Sequence, residues 1–161
     1  AASDVYKRQR LNRNNDGGTT RRTTDIFQLA TAILFQNPVQ NFALAPNNLN
    51  DVSPVCMDFM KQVPVTWDET RFIEGYPGKY IVLARRHGDT WYVAAVNAGS
   101  EPLKLKFDLD MFAGKTVSLY KDDKRGEPQL IPLKVKEKGR VQLEVYPQGG
   151  IVLSDRIEET L

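Results

Sequence analysis

The sequence predicts a mainly β chain whose C-terminal part is an antiparallel β-sandwich. Three observations carry this. From residue 63 onward, short runs with period-two alternation recur at roughly ten-residue spacing, separated by turn-forming residues. Two of these runs, residues 80–85 and 91–96, flank His87-Gly88-Asp89 and read as a β-hairpin. Almost every position in both runs is apolar or aromatic, which fits central strands covered on two faces. Before residue 63 the apolar period is helical instead.

Taken in order, residues 1–9 (AASDVYKRQ) carry no hydrophobic period. They look like translated sequencing-adaptor read-through, so a non-native leader is expected there. Asn14-Asn15-Asp16-Gly17-Gly18 is a loop signal. A helix is expected next. Thr23 or Thr24 offers a side-chain oxygen to a free backbone N–H. Ile26, Leu29, Ala30, Ile33 and Leu34 recur at helical spacing, and Pro38 closes the run. With Phe27 the helix is apolar around most of its circumference and expects neighbours on several sides. Few are on offer upstream, so missing upstream partners, exposed apolar surface and aggregation are expected. Residues 39–45 suggest a short strand closed by Pro46. Ser53-Pro54 opens a second helix, with Pro at its first position. Val55, Met57, Phe59 and Met60 give it an apolar side, and it ends before Pro64. It is read as a linker, residues 51–62.

The sandwich, residues 63–161, supplies the rest. After the hairpin, Leu103, Leu105 and Phe107 alternate with Lys104, Lys106 and Asp108 as a half-exposed strand. Residues 116–120 form another strand, and 121–126 a charged loop. Pro132 places residues 130–135 at a sheet edge. Val141, Leu143 and Val145 alternate with polar residues, and Pro147-Gln148-Gly149-Gly150 turns into a final strand, Ile151-Val152-Leu153.

Charge argues against a nucleic-acid partner. The net charge is +2, but residues 1–22 hold six Lys or Arg against two Asp, or +4, so the remainder sums to −2. No apolar run approaches the ~20 residues of a membrane span, so no membrane partner is expected. Cys56 is the single cysteine and His87 the single histidine, which excludes a disulfide within the chain, a thiolate metal site and a His-centred triad. No phosphate-binding loop, nucleophile elbow or zinc-protease motif occurs.

Acid–base hydrolysis by side chains alone calls for two facing carboxyl groups. The candidates are Asp68 and Glu69, Glu74, Asp108 and Asp110, and Asp122 and Asp123. Asp68 and Glu69 are adjacent and would point to opposite faces of a strand. Asp108 and Asp110 lie outward, while Asp122 and Asp123 sit in the charged loop as solvated turn residues. No catalytic residue and no metal ligand is therefore assigned in this chain. Trp67, Trp91 and Tyr92 read as core aromatics. Tyr76 is the exception, a candidate substrate-binding residue in the exposed turn Gly75-Tyr76-Pro77-Gly78.

An ordered series of motifs adds a family resemblance. Pro64-Val65-Thr66-Trp67-Asp68-Glu69-Thr70-Arg71, then Gly75-Tyr76-Pro77-Gly78-Lys79-Tyr80, then Ala84-Arg85-Arg86 and Trp91-Tyr92-Val93 together resemble the C-terminal region of glycoside hydrolase family 97. These are calcium-dependent α-glycosidases, and the likeness runs from about Asn14 to Leu153. It implies that residues 10–50 are the last helix and strand of a truncated (β/α)₈ catalytic barrel. Where many relatives end that strand in an acidic residue, this chain has Leu44. The resemblance further implies a bacterial, periplasmic or cell-envelope enzyme acting on α-linked glucosides or galactosides. Its glutamates and Ca2+ would lie on earlier barrel segments. The chain would then be a non-catalytic accessory domain that caps the barrel and supports a homo-oligomer. The alternative is a non-catalytic carbohydrate-binding module.

Overall fold

The structure, a computed structural model, describes residues 22–36, 39–42 and 52–156. Two helices, α1 (Asp25–Leu34) and α2 (Pro54–Gln62), precede eight strands. The strands are β1 (Glu69–Tyr76), β2 (Tyr80–His87), β3 (Thr90–Asn97), β4 (Leu103–Asp108), β5 (Thr116–Asp122), β6 (Pro128–Lys134), β7 (Arg140–Val145) and β8 (Gly150–Ser154). Six of them form one sheet in the order β1-β2-β3-β8-β5-β6, while β4 and β7 pair as a second, two-stranded sheet. Every pairing is antiparallel.

The expected hairpin is β2–β3, with a shorter loop than the sequence suggests. His87 pairs with Thr90, so only Gly88 and Asp89 turn the chain. Gly88 has φ 57, which a two-residue turn requires and which glycine adopts without a Cβ clash. β3 is buried along nearly its whole length because it lies inside the large sheet and both of its faces are covered. Pro132 falls on β6, an edge strand, where its missing N–H costs no ladder bond.

The two faces of the large sheet make two cores. On the inner face Val82, Ala84, Val93, Ala95, Ile151 and Leu153 meet Leu105, Phe107, Val141 and Val145 of the small sheet. Leu109 and Phe112, at a short 3₁₀ turn after β4, close that core. On the outer face Tyr92, Ala94, Val96, Tyr120 and Val152 meet Ile26, Leu29, Ala30 and Ile33 of α1 and Cys56 and Phe59 of α2. The α1 residues are fully buried, and each large apolar side chain contributes roughly 1.5–3 kcal/mol on leaving water. This corrects the expectation of a helix short of neighbours. Its partners come from downstream, where the sheet face supplies them, and its apolar stripe is covered. Beyond the helix, Phe35 remains exposed.

Residues 39–42 are not in a strand, and the rest of the strand expected over 39–45, with Leu44, lies outside the described residues. Thr24 is the N-cap of α1, accepting from the Phe27 N–H at 3.2 Å. α2 starts at Pro54, as expected, but Ser53 makes no side-chain cap bond. α2 packs on α1 and against β6. Its Phe59 meets Tyr120 edge to face at 5.1 Å.

Candidate functional site

The candidate carboxylates do not pair for chemistry, and each is held by a structural partner. Asp68 and Glu69 do not point apart as expected. Asp68 precedes β1, so the strand alternation does not apply, and both acids reach Arg86, at 3.9 and 3.3 Å. Asp68 also accepts from the Gly88 N–H at 2.7 Å, bracing the hairpin turn. Glu69 takes the Arg71 Nε–H at 2.7 Å, and that bond chiefly holds its carboxyl below the usual range. Arg71 and Arg86 lie 4.6 and 5.9 Å from the ring centre of Trp91, a cationic lid over one end of the inner core. Glu74 accepts from the Tyr80 hydroxyl at 2.6 Å. Asp108 pairs with Arg140 at 3.2 Å and Asp110 with Arg71 at 3.5 Å. Asp123 accepts the N–H groups of Arg125 and Glu127 at 2.7 and 2.9 Å, and the Glu127 amide does most to lower its pKa.

Asp122 corrects the sequence reading. It is not in a solvated loop: β5 continues through it, and its side chain is buried. Its Oδ2 accepts from Thr24 Oγ1–H at 2.6 Å and from the Gly150 N–H at 3.2 Å, and the Ile26 backbone N–H also restrains the carboxyl's pKa. Burial raises its pKa to about 6 against the restraint of those donors. The carboxyl thus ties the start of α1 to two strands. Gly150 permits the approach, since a Cβ there would stand 2.8 Å from the Cα of Phe27.

Arg85 does the same at the other end of α1. It is buried, and its Nη1 and Nη2 donate to the carbonyls of Phe35 and Leu34 at 3.3 Å each. Those carbonyls end a helix, where a cation is favoured. Burial lowers its pKa. Its Nε and the Trp67 Nε1 nearby are buried without partners. His87 closes β2 and holds its Nδ1 2.9 Å from the Thr66 carbonyl, a structural contact.

The aromatics divide as their neighbours suggest. Trp91 and Tyr92 are core, and Trp67 packs edge to face on Tyr92 at 5.5 Å. Tyr76 ends β1 and is 58% exposed, with the Lys79 ammonium 4.7 Å from its ring centre. It borders a groove of about 400 Å³ at the β1–β2 turn, together with Phe72, Gly75, Tyr80, Ile81 and Val96. Sequence reasoning singled out Tyr76 but missed Phe72, which is 65% exposed. Among the described residues no three His, Cys, Asp or Glu side chains gather to hold a metal ion, and the calcium that the resemblance implies belongs to earlier segments.

The described residues thus form a two-sheet antiparallel domain with helices on one outer face, an apolar groove at the β1–β2 turn and no assembled set of reacting groups. Comparison gives the class a family. Residues 66–154, all eight strands, match the family model described as glycosyl-hydrolase 97 C-terminal, oligomerisation, and the chain belongs to that family. A solved structure described as a β-arabinopyranosidase is 77% identical, with a TM-score of 0.88, over 93% of this chain and 24% of that one. The retaining α-galactosidase of Bacteroides thetaiotaomicron is 29% identical over 133 residues, 78% of this chain and 20% of the relative. A family 97 enzyme from Pseudoalteromonas sp. strain K8, solved with acarbose, is 26% identical with a TM-score of 0.72, over 85% of this chain and 23% of that one. The chain therefore spans between a fifth and a quarter of the length of these glycoside hydrolases, and what it matches is their C-terminal domain.

Proposed function

We propose that the chain is the accessory domain of a longer family 97 enzyme that hydrolyses arabinopyranosides, with α-galactosides as a second substrate class. The observation that carries this is the 77% identity to the β-arabinopyranosidase structure across 93% of the chain. The chemistry is consistent with the α-galactosidase relatives. An arabinopyranoside of the L series has the ring stereochemistry of a galactopyranoside and lacks only the exocyclic hydroxymethyl group, so one pocket can accept both. On this reading the linkage is cleaved with retention, residues 10–50 end the catalytic barrel, and calcium and the reacting carboxylates sit upstream. A periplasmic or envelope location follows from the same resemblance. The domain itself braces the barrel's last helix and supports a homo-oligomer, and neither nucleic acid nor membrane is a partner. The groove at Tyr76 does not favour the carbohydrate-module alternative. It offers aromatic faces, but the Tyr80 hydroxyl beside it is already given to Glu74, and a sugar needs hydrogen-bonding partners as well as stacking.

The test is kcat/KM of the full-length protein on aryl β-L-arabinopyranoside, α-D-galactopyranoside and α-D-glucopyranoside. The arabinopyranoside should lead, and the glucoside should trail it by at least about 10-fold, since a site built around one hydroxyl configuration rejects its epimer. A preference for the glucoside would overturn the assignment.

A further inference from the structure

We propose that the exposed face of the small sheet, with the turn that joins β6 to β7, binds the carboxylates of an acidic polysaccharide. The choice of a glycan rests on the reading of the parent as a carbohydrate-active enzyme, while the basic surface stands apart from that reading. β4 and β7 alternate strictly. Leu105, Phe107, Val141 and Val145 enter the inner core, so Lys104, Lys106, Arg140 and Gln142 face water. α1 and α2 lie on the outer face of the large sheet. The basic face is on the far side of both sheets from the helices, which do not cover it.

The charges on that face are unbalanced where they gather. Lys106, Lys136, Arg140 and Gln142 border one cleft of about 310 Å³, and no acid lines it. Of its three cations, only Arg140 has a carboxylate partner among the described residues, Asp108 at 3.2 Å. Lys106 stands across from neutral Gln142 in the strand register, whereas Lys104 stands across from Glu144. Lys136 also borders the neighbouring depression with Lys134, where the Glu137 carboxylate leans to Gly114, 3.4 Å from the place of a Cβ. Lys104 and Lys106, two residues apart, are spaced by ~7 Å along the strand, a row that suits an extended polymer with separated charges. The kind of polymer follows from what else the face holds. Duplex DNA carries a charge every ~1.7 Å, and residues 23–161, which sum to −2, repel so dense an anion beyond the local patch. The large apolar side chains exposed among the described residues are Phe35, Val39, Val65, Phe72, Tyr76 and Ile131, none of them on β4, β7 or the turn before β7. The face therefore offers neither base stacking nor insertion into a lipid surface. A uronate chain carries one carboxylate per sugar, for the cations, and hydroxyl groups, for Gln142.

Titration calorimetry of the full-length protein with polygalacturonate tests this. The wild type should bind it at about 20 mM NaCl and lose at least about tenfold in affinity at about 300 mM, as salt screens exposed charges. Neutral hydroxyethylcellulose should not bind. Lys106→Glu with Lys136→Glu should raise the dissociation constant at least about tenfold, and the milder Lys106→Gln with Lys136→Gln about threefold. Lys79→Glu, on the β1–β2 turn, should leave it unchanged. All three positions are exposed, and an unchanged thermal midpoint shows that the variants fold. Polygalacturonate binding that survives both double variants, or that the wild type lacks at low salt, would overturn the site. Tighter binding of duplex DNA or of anionic vesicles, lost in the same variants, would overturn the ligand class. The arabinopyranoside preference is read separately, from kcat/KM on its own substrates, so either reading can fail without the other.

Discussion

Asp122 is the residue on which the helix–sheet junction turns. Its folded pKa of about 6 lies above the ordinary 3.8, because burial outweighs the donors that Thr24 and Gly150 supply. The protonated form is thus favoured by folding. Its contribution is fully present below about pH 3.8 and is lost as pH rises through about 6. Asp25 in the first turn of α1 adds a repulsive charge that works in the same direction. Glu69 and Asp123 have lowered pKa values, so their contributions change only at more acid pH. The wild-type thermal midpoint should therefore rise by about 2–4 °C between pH 7.5 and pH 5. Asp122→Asn should abolish that rise, measured by calorimetry in matched buffers. An unchanged rise in the variant would place the proton elsewhere. Asp122 was within reach of sequence reading. Two residues beyond Tyr120 in the same strand, it shares the face that α1 covers. The charged run Lys121-Asp122-Asp123-Lys124-Arg125 pulled the loop boundary two strand residues too early, since composition was weighed above period. Phe72 was hidden for the opposite reason: an aromatic in a strand reads as core, and only the edge position of β1 exposes it.

At the scale of elements, α1 is held at both ends by strand residues far away in sequence. Asp122 meets its N-terminus and Arg85 its C-terminus, while Gly150 lets the first turn lie on β8. A helix of 10 residues is marginal in isolation, so these contacts and its buried stripe decide whether it forms. Arg85→Met removes the donors to the Leu34 and Phe35 carbonyls. Hydrogen exchange should then speed roughly tenfold in the last turn of α1, for a loss of about 1.4 kcal/mol, while β3 keeps its protection. Equal acceleration in β3 would mean that the helix and sheet open only together. The alternation of β4 and β7, the hairpin and the Pro132 edge were all legible, because a period of two and a turn signal are local facts. Which strands lie side by side was not. β8 inserts between β3 and β5, a pairing set by how two covered faces close. The neighbours of α1 were misjudged because they come from later in the chain.

At the scale of the whole molecule, the two cores explain how one small domain serves a larger protein. The inner core closes the sandwich, and the outer face receives the two helices. Each candidate carboxylate described here is committed to a backbone amide, an arginine or a hydroxyl. The resemblance carried by the short motifs located this domain but left the glucoside and galactoside readings open, and arabinopyranosides were not among them. The most direct test of a scaffold role is the hydrolysis rate of the full-length protein carrying Asp68→Asn, Glu69→Gln and Glu74→Gln together. Loss of these surface pairs should leave kcat/KM on aryl β-L-arabinopyranoside within about threefold, because surface ion pairs contribute little. A fall of more than about 100-fold, the scale of a lost general acid or base, with an unchanged thermal transition, would place chemistry on this domain and contradict the account.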